Sequence, residues 1–267
     1  MMDPSWGHPK RSLGQNFLCD AGVVRCIADA IAATHGDTVV EIGPGRGALT
    51  RELAARGARI VAVEKDRELA WRLRADLPEV GMVYADALRL AWEGVSRLPG
   101  VRIVGNLPYN IASPLMWELV ARVQGWERMV FLVQKEVGAR LVASPRTSSY
   151  GALGVWVQSW CRPELVRIVP PHVFRPRPKV DSAVVRFWPR HGRPQAAASL
   201  SRLLHVTFQK RRKQLGTILR PWWGHRLDAW CAAHEVGRTV RPEELSPEQF
   251  GSLAEVMASL WDLGKSA

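Results

Sequence analysis

The stretch 39-VVEIGPGRGALT-50 decides the fold. It reads as a short buried strand (38-TVVEIG-43), a tight turn and the first turns of a helix (48-ALTRELAARGA-58) that stops at Gly57. Gly43, Gly45 and Gly47 let the backbone turn sharply and come close to a ligand. A dinucleotide enzyme spaces its glycines as G-x-G-x-x-G, and a phosphate loop ends on a lysine. Here the pattern is E-x-G-x-G-x-G, and Ala48 follows it. Glu41, ahead of the turn, can accept from a cationic or amino group of the ligand.

Outward from this turn, strands and helices alternate. A helix over 22–33 precedes it. A strand at 59–64, a helix at 65–77, strands at 80–86 and 101–105, a helix at 113–124 and a strand at 128–134 follow. Residues 150–160 suit a helix or a strand; 164–170 and 180–189 suit strands. This order predicts an α/β fold, a Rossmann-like, mostly parallel, doubly wound sheet. Around 189–199 the composition becomes loop-like. The expected boundary separates a sheet domain, 1–189, from a small helical domain, 190–267. The latter should hold one helix over 200–220 and another over 242–261, with Ser246 as N-cap, Pro247 at the first position and Gln249 at the third.

The strand ends carry the chemistry. Glu64 ends the second strand, where a carboxylate can accept both hydroxyls of a ribose. Asp86 ends the third, placed to accept from an adenine amine. Either acid alone could equally cap a helix or face solvent. Above one sheet, they describe a pocket for an adenosine moiety without a pyrophosphate, so S-adenosylmethionine fits better than NAD or ATP. Asn106-Leu107-Pro108-Tyr109 follows the fourth strand. The Asn106 amide oxygen and Leu107 carbonyl can accept from an exocyclic amine, Pro108 fixes the backbone, and the Tyr109 ring can stack on a flipped-out base.

The 267 residues carry a net charge of +12, and 47% are apolar, enough for a full core. Residues 160–230 hold 15 Lys and Arg against 3 Asp and Glu, so the whole excess lies there. That favours a polyanionic partner, with a solvated basic face as the alternative. The loop 170-PPHVFRPRPK-179 is stiffened by proline and carries Phe174, Arg175, Arg177 and Lys179; Phe174 either stacks on a base or anchors the loop in the core. Lys210, Arg211, Arg212 and Lys213 form a second basic run, part for phosphate and part for solvent. The tryptophans, Trp188, Trp222 and Trp223 among them, are expected to pack. Cys19, Cys26, Cys161 and Cys231 are scattered and predict no metal site. Without an apolar run near 18 residues or a secretory h-region, a cytoplasmic chain with no membrane contact is expected.

On 14-GQNFL-18, 41-EIGPGRGALT-50, 105-GNLPYNIASP-114, 134-QKEVGARL-141, 150-YGALGVWVQ-158 and 169-VPPHVFRPRPKVDSAVV-185, and more loosely 210-KRRKQLGTIL-219, the chain resembles the ribosomal RNA adenine dimethyltransferase family, in its small-subunit branch. The resemblance implies S-adenosylmethionine as cofactor, held by Asn16, Leu18, Gly43, Glu64, Asp86 and Asn106, with the GQNFL segment folded over it. It implies N6,N6-dimethylation of two adjacent adenosines in a hairpin near the 3′ end of small-subunit rRNA, within the small ribosomal subunit or its precursor. Leu107, Pro108, Tyr109 and Phe174 would meet the target adenine, and the chain is expected to act as a monomer. Two alternatives stay open: a large-subunit rRNA adenine methyltransferase of the macrolide-resistance type, and a non-catalytic RNA-binding factor on the same fold.

Overall fold

The computed structural model describes residues 8–190 and 192–263. They fall into two compact units, one running to Gly138 and including Pro163–Pro189, the other made of Ala139–Arg162 and the chain from Arg190 onward.

In the first unit, strands β1 (Phe17–Leu18), β2 (Thr38–Ile42), β3 (Arg59–Glu64), β4 (Gly81–Tyr84), β5 (Arg102–Asn106), β6 (Arg128–Gln134), β7 (Cys161–Val169, starting at the unit boundary), β8 (Phe174–Arg175) and β9 (Ser182–Pro189) form two sheets. The main sheet has seven strands in the order β4-β3-β2-β5-β6-β9-β7; β1 and β8 make a small antiparallel pair. Strands β4, β3, β2, β5 and β6 are parallel, and β9 runs antiparallel to β6. The central strands read as near-continuous apolar runs because both faces of the sheet are covered. Strand order reverses between β2 and β5, and such a switch point opens a crevice beyond the carboxyl ends.

Helices α1 (Ala21–Ile31), α2 (Ala48–Ala55), α3 (Arg67–Asp76) and α4 (Tyr109–Arg122) connect the strands. Asp20 caps α1 by accepting from the Val23 N–H at 2.8 Å. The α1 stripe of Val23, Val24, Ile27, Ala28 and Ile31 joins the core with Val39, Val104, Val130 and Leu132. Helix α4 begins at Tyr109, four residues earlier than the apolar spacing suggests, so Leu107 and Pro108 alone separate β5 from it.

Helix α5 (Lys135–Leu141), which the sequence pattern does not announce, leads across the unit boundary. The second unit holds α6 (Ala152–Trp160), α7 (Ala197–Phe208), α8 (Leu215–Ile218), α9 (His225–Ala233) and α10 (Pro247–Leu263). Tyr150, Phe208 and Phe250 form one aromatic cluster, and the buried Tyr150 hydroxyl donates to the Leu245 carbonyl at 2.7 Å. Because α6 packs on α7 and α10, residues 139–162 group with the helical unit rather than with the sheet domain expected over 1–189. The expected single helix over 200–220 is broken at 209–214, where four adjacent cations sit in turns. Helix α9 has no counterpart among the expected elements. The capping box is present: the Ser246 N–H donates to Gln249 Oε1 at 2.9 Å, and the Gln249 N–H to Ser246 Oγ at 3.2 Å. Among the described residues, no helix is long and apolar enough to cross a membrane, and no group of three His, Cys, Asp or Glu could hold a metal ion.

Candidate active site

A cavity of about 120 Å³ opens at the switch point. Its floor is the turn after β2, its walls are the ends of β3, β4 and β5, and Ser12–Phe17 border it from the N-terminal side. Gly43, Gly45 and Gly47 have φ of 67°, 56° and 75°, the left-handed region that favours glycine. A Cβ on Gly45 would lie 3.0 Å from the Phe17 ring, so this glycine also makes room for the N-terminal segment.

Glu64 and Asp86 both line the cavity, as expected. Glu64 is held by backbone donors, Asp66 N–H on Oε1 at 2.8 Å and Gly45 N–H on Oε2 at 3.2 Å. Burial pushes its carboxyl above the ordinary range, and these amides oppose the rise. Asp86 accepts from Lys65 Nζ at 2.9 Å and from the Leu88 N–H at 3.0 Å. The Lys65 hydrogen bond, helped by the Leu88 amide, holds its carboxyl below the usual range. A ligand amine at Asp86 must therefore share oxygens already in use.

Asn16, Gly43, Gly45, Asn106, Leu107, Pro108 and Tyr109 line the same cavity. The Asn106 Nδ2 donates to the Asn16 carbonyl at 2.8 Å, which leaves Oδ1 as the accepting end of the amide. Tyr109 is half-buried, and its hydroxyl shares a 2.7 Å hydrogen bond with Ser182 Oγ. Burial raises the Tyr109 hydroxyl above its ordinary value, with Ser182 pulling the other way.

Four expected site residues do not line the cavity. Leu18 sits in the hydrophobic core. Gly47 is the N-cap of α2, where a Cβ would meet Leu73 at 2.5 Å, so it serves packing. Glu41 lies in β2, 2% exposed, and its Oε2 has no hydrogen-bond partner among the described residues. Burial pushes Glu41 up to about 7, with Thr50 opposing and the nearby Glu64 charge adding to the rise. Phe174 is 1% exposed and belongs to the core cluster, paired with Leu18 across β1 and β8; no face of its ring is open to a base. Packing is thus the alternative realised for Phe174.

The basic residues divide as well. Arg175, Arg177 and Lys179 are all exposed, and Arg175 also donates to the His172 and Phe174 carbonyls at 2.9 and 3.0 Å. Arg211 corrects the expected RNA-facing run: it pairs with Glu243 at 3.1 Å and donates to the Ser148 carbonyl at 3.1 Å, holding its own unit together. Lys210, Arg212 and Lys213 are exposed. Sequence reasoning missed Ser182, inside the VDS segment, and Lys10, Gln15 and Asp66. Asp66, two residues beyond Glu64 and directly before the first residue of α3, was legible as an N-cap.

The family model for ribosomal RNA adenine dimethylase matches residues 8–259. The chain belongs to the ribosomal RNA adenine dimethylase family. It is 49% identical over 256 residues to "Ribosomal RNA small subunit methyltransferase A" of Nitratidesulfovibrio vulgaris strain Hildenborough, covering 93% of this chain and 96% of the relative. The Rubrobacter xylanophilus protein of the same name is 42% identical over 248 residues, covering 92% and 94%. Among solved structures, a dimethyladenosine transferase from Plasmodium falciparum matches with a TM-score of 0.75 at 22% identity, over 93% of this chain and 98% of that one, which speaks for the fold. The 23S rRNA methyltransferase ErmE matches with a TM-score of 0.68 at 28% identity, over 91% and 100%. Like these structures, this dimethylase-family chain has the Rossmann-like methyltransferase fold with a helical C-terminal part.

Proposed function

We propose that this protein transfers methyl groups from S-adenosylmethionine to N6 of two adjacent adenosines in a 3′-terminal hairpin of small-subunit rRNA, forming N6,N6-dimethyladenosine. The observation that carries this reading is the cavity that joins Glu64, Asp86 and Asn106 at the carboxyl ends of β3, β4 and β5, on either side of β2. The donor set fits the cofactor: carboxylates for a ribose and an amine, apolar walls from Ile42, Val63 and Leu69, and a turn whose Gly43 and Gly45 line the cavity without side chains. Bound there, S-adenosylmethionine supplies an electrophilic methyl group on a sulfonium.

The chain's own residues orient the acceptor. The Asn16 carbonyl holds Asn106 Nδ2, so Oδ1 faces an incoming N6 amine as an acceptor. An amine hydrogen-bonded this way is fixed in direction, and positioning supplies much of the rate. Tyr109, tethered to Ser182, offers a ring at a set angle for the base. No strong general base is needed, because the alkylated amine is acidic and loses its proton readily. Arg175, Arg177, Lys179, Lys210, Arg212 and Lys213 are exposed cations that can meet phosphate, and the helical unit helps place the RNA.

The test is methyl incorporation into purified small and large ribosomal subunits, with modified adenines mapped by primer extension. Two adjacent dimethylated small-subunit adenines are expected. Modification of a large-subunit adenine alone points to an ErmE-like target, and cofactor binding with no transfer to either subunit points to a non-catalytic factor.

A further inference from the structure

Residues 10–18 border the cavity yet have almost no regular structure to hold them, only a 3-10 turn (Arg11–Leu13) and the two residues of β1. Ser12 through Phe17 all line the cavity, so where this strap rests decides whether the cavity is closed. At its far end the strap is fixed by β1 pairing with β8 and by the Phe17 ring against Gly45, with the Arg46 guanidinium 4.6 Å from the ring centroid. At its near end Asp66 receives it, with Glu68 Oε2 a further 3.9 Å from Lys10 Nζ. Asp66 Oδ1 accepts from Lys10 Nζ at 2.7 Å, and Oδ2 from Gln15 Nε2 at 2.9 Å. The Gln15 amide also accepts from the Lys10 backbone N–H at 2.7 Å, closing residues 10–15 into a ring on the carboxylate.

Asp66 is built for this. Its side chain is 2% exposed, while that of Lys10 is 45% exposed, so the charge belongs to the body of the unit and the strap brings the counter-charge to it. Burial alone would raise the Asp66 carboxyl; the Lys10, Gln15 and Glu68 hydrogen bonds outweigh it and hold the group below its ordinary range. Asp66 also donates its own N–H to Glu64 Oε1 at 2.8 Å. One residue therefore grips the strap with its side chain and steadies a cavity carboxylate with its backbone.

We propose that Asp66 is a positioning residue whose carboxylate, with Lys10 and Gln15, latches the N-terminal strap shut over the cofactor cavity and so sets the residence time of the ligand inside. The proposal rests on the reading that this cavity holds S-adenosylmethionine. The simpler role for Asp66 is the N-cap of α3, where it accepts from the Glu68 N–H at 3.1 Å. The two roles separate at Lys10, which takes no part in the cap and does not line the cavity.

The experiment compares wild type, Lys10→Ala, Lys10→Arg and Asp66→Asn in full-length protein. Hydrogen exchange of the amides of residues 12–18 is followed in the free protein, and the dissociation rate of S-adenosylhomocysteine by stopped flow. With Lys10→Ala, strap exchange and the dissociation rate should each rise about three- to tenfold, exchange of α3 should stay at the wild-type level, and Lys10→Arg should restore both. Asp66→Asn keeps a cap acceptor and loses the charge, and should match or exceed Lys10→Ala. The KM for S-adenosylmethionine should rise with kcat within about twofold. Unchanged strap exchange and dissociation in Lys10→Ala overturns the latch. Failure of the wild type to bind S-adenosylhomocysteine overturns the cofactor reading instead.

Discussion

Glu41 offers a sharp test of the site's electrostatics. Its carboxyl is buried in β2 with Oε2 unpartnered among the described residues, and burial pushes it up from 4.5 to about 7. The folded state thus keeps a proton that the unfolded chain has already released. Stability should fall as pH rises from about 4.5 through about 7, and level off above. At about 1.4 kcal/mol per pH unit, the loss is on the order of 3 kcal/mol. Glu41→Gln has nearly the same shape and no titration, so its stability should lack this slope. Urea unfolding of both ligand-free proteins at pH 5, 6.5 and 8 isolates the effect, because most other titrating groups are common to both. The wild type should lose on the order of 3 kcal/mol relative to Glu41→Gln between the lowest and highest pH. A gap that stays constant within about 0.5 kcal/mol, or that runs the other way, refutes a neutral buried Glu41.

Other outcomes follow from single interactions. Asn106→Ala removes both the Asn16 tether and the Oδ1 acceptor, so kcat for methyl transfer should fall about 100-fold or more while RNA affinity in a filter-binding assay changes little. Ser182→Ala leaves the Tyr109 hydroxyl without its partner and should lower urea stability by about 1 kcal/mol. Neutralising Lys210, Arg212 and Lys213 together should flatten the salt dependence of RNA binding, by about 0.7–0.9 in log–log slope for each phosphate left without its cation, at unchanged melting temperature. Arg211→Ala should do the reverse, lowering the melting temperature with little change in that slope, because its partners are Glu243 and Ser148. Gly105→Ala would put a Cβ 2.6 Å from the Ile42 carbonyl oxygen, between two paired strands, and should cost about 1–3 kcal/mol in the same unfolding assay.

Strand ends were legible because period and punctuation mark them: Glu64, Asp86 and Asn106 all stand where apolar runs give way, and all three meet at one cavity. What the sequence hid was orientation. Phe174 sits in a proline-rich basic loop and looks like a ring for stacking, yet its pairing partner Leu18 draws it into the core. Arg211 is indistinguishable by type from its neighbours, and only the return of Glu243 from 32 residues downstream sets it apart. Helix propensity carries through 209–214, but the chain turns there, and α8 then starts where the Leu215 and Gly216 amides bond to Val240 and Arg238. Local pattern has no access to such distant partners.

The tether from Asn106 to Asn16 has a kinetic consequence. On the proposed reading, the group that orients the acceptor amine is itself oriented by the segment that covers the donor. Until that segment is seated, the amide can rotate and the acceptor half of the site is incomplete. Binding should therefore be ordered, donor before base, and the spent donor should leave last. For a product that needs more than one methyl on the same nitrogen, that order forces the base out, or at least the segment open, between successive transfers.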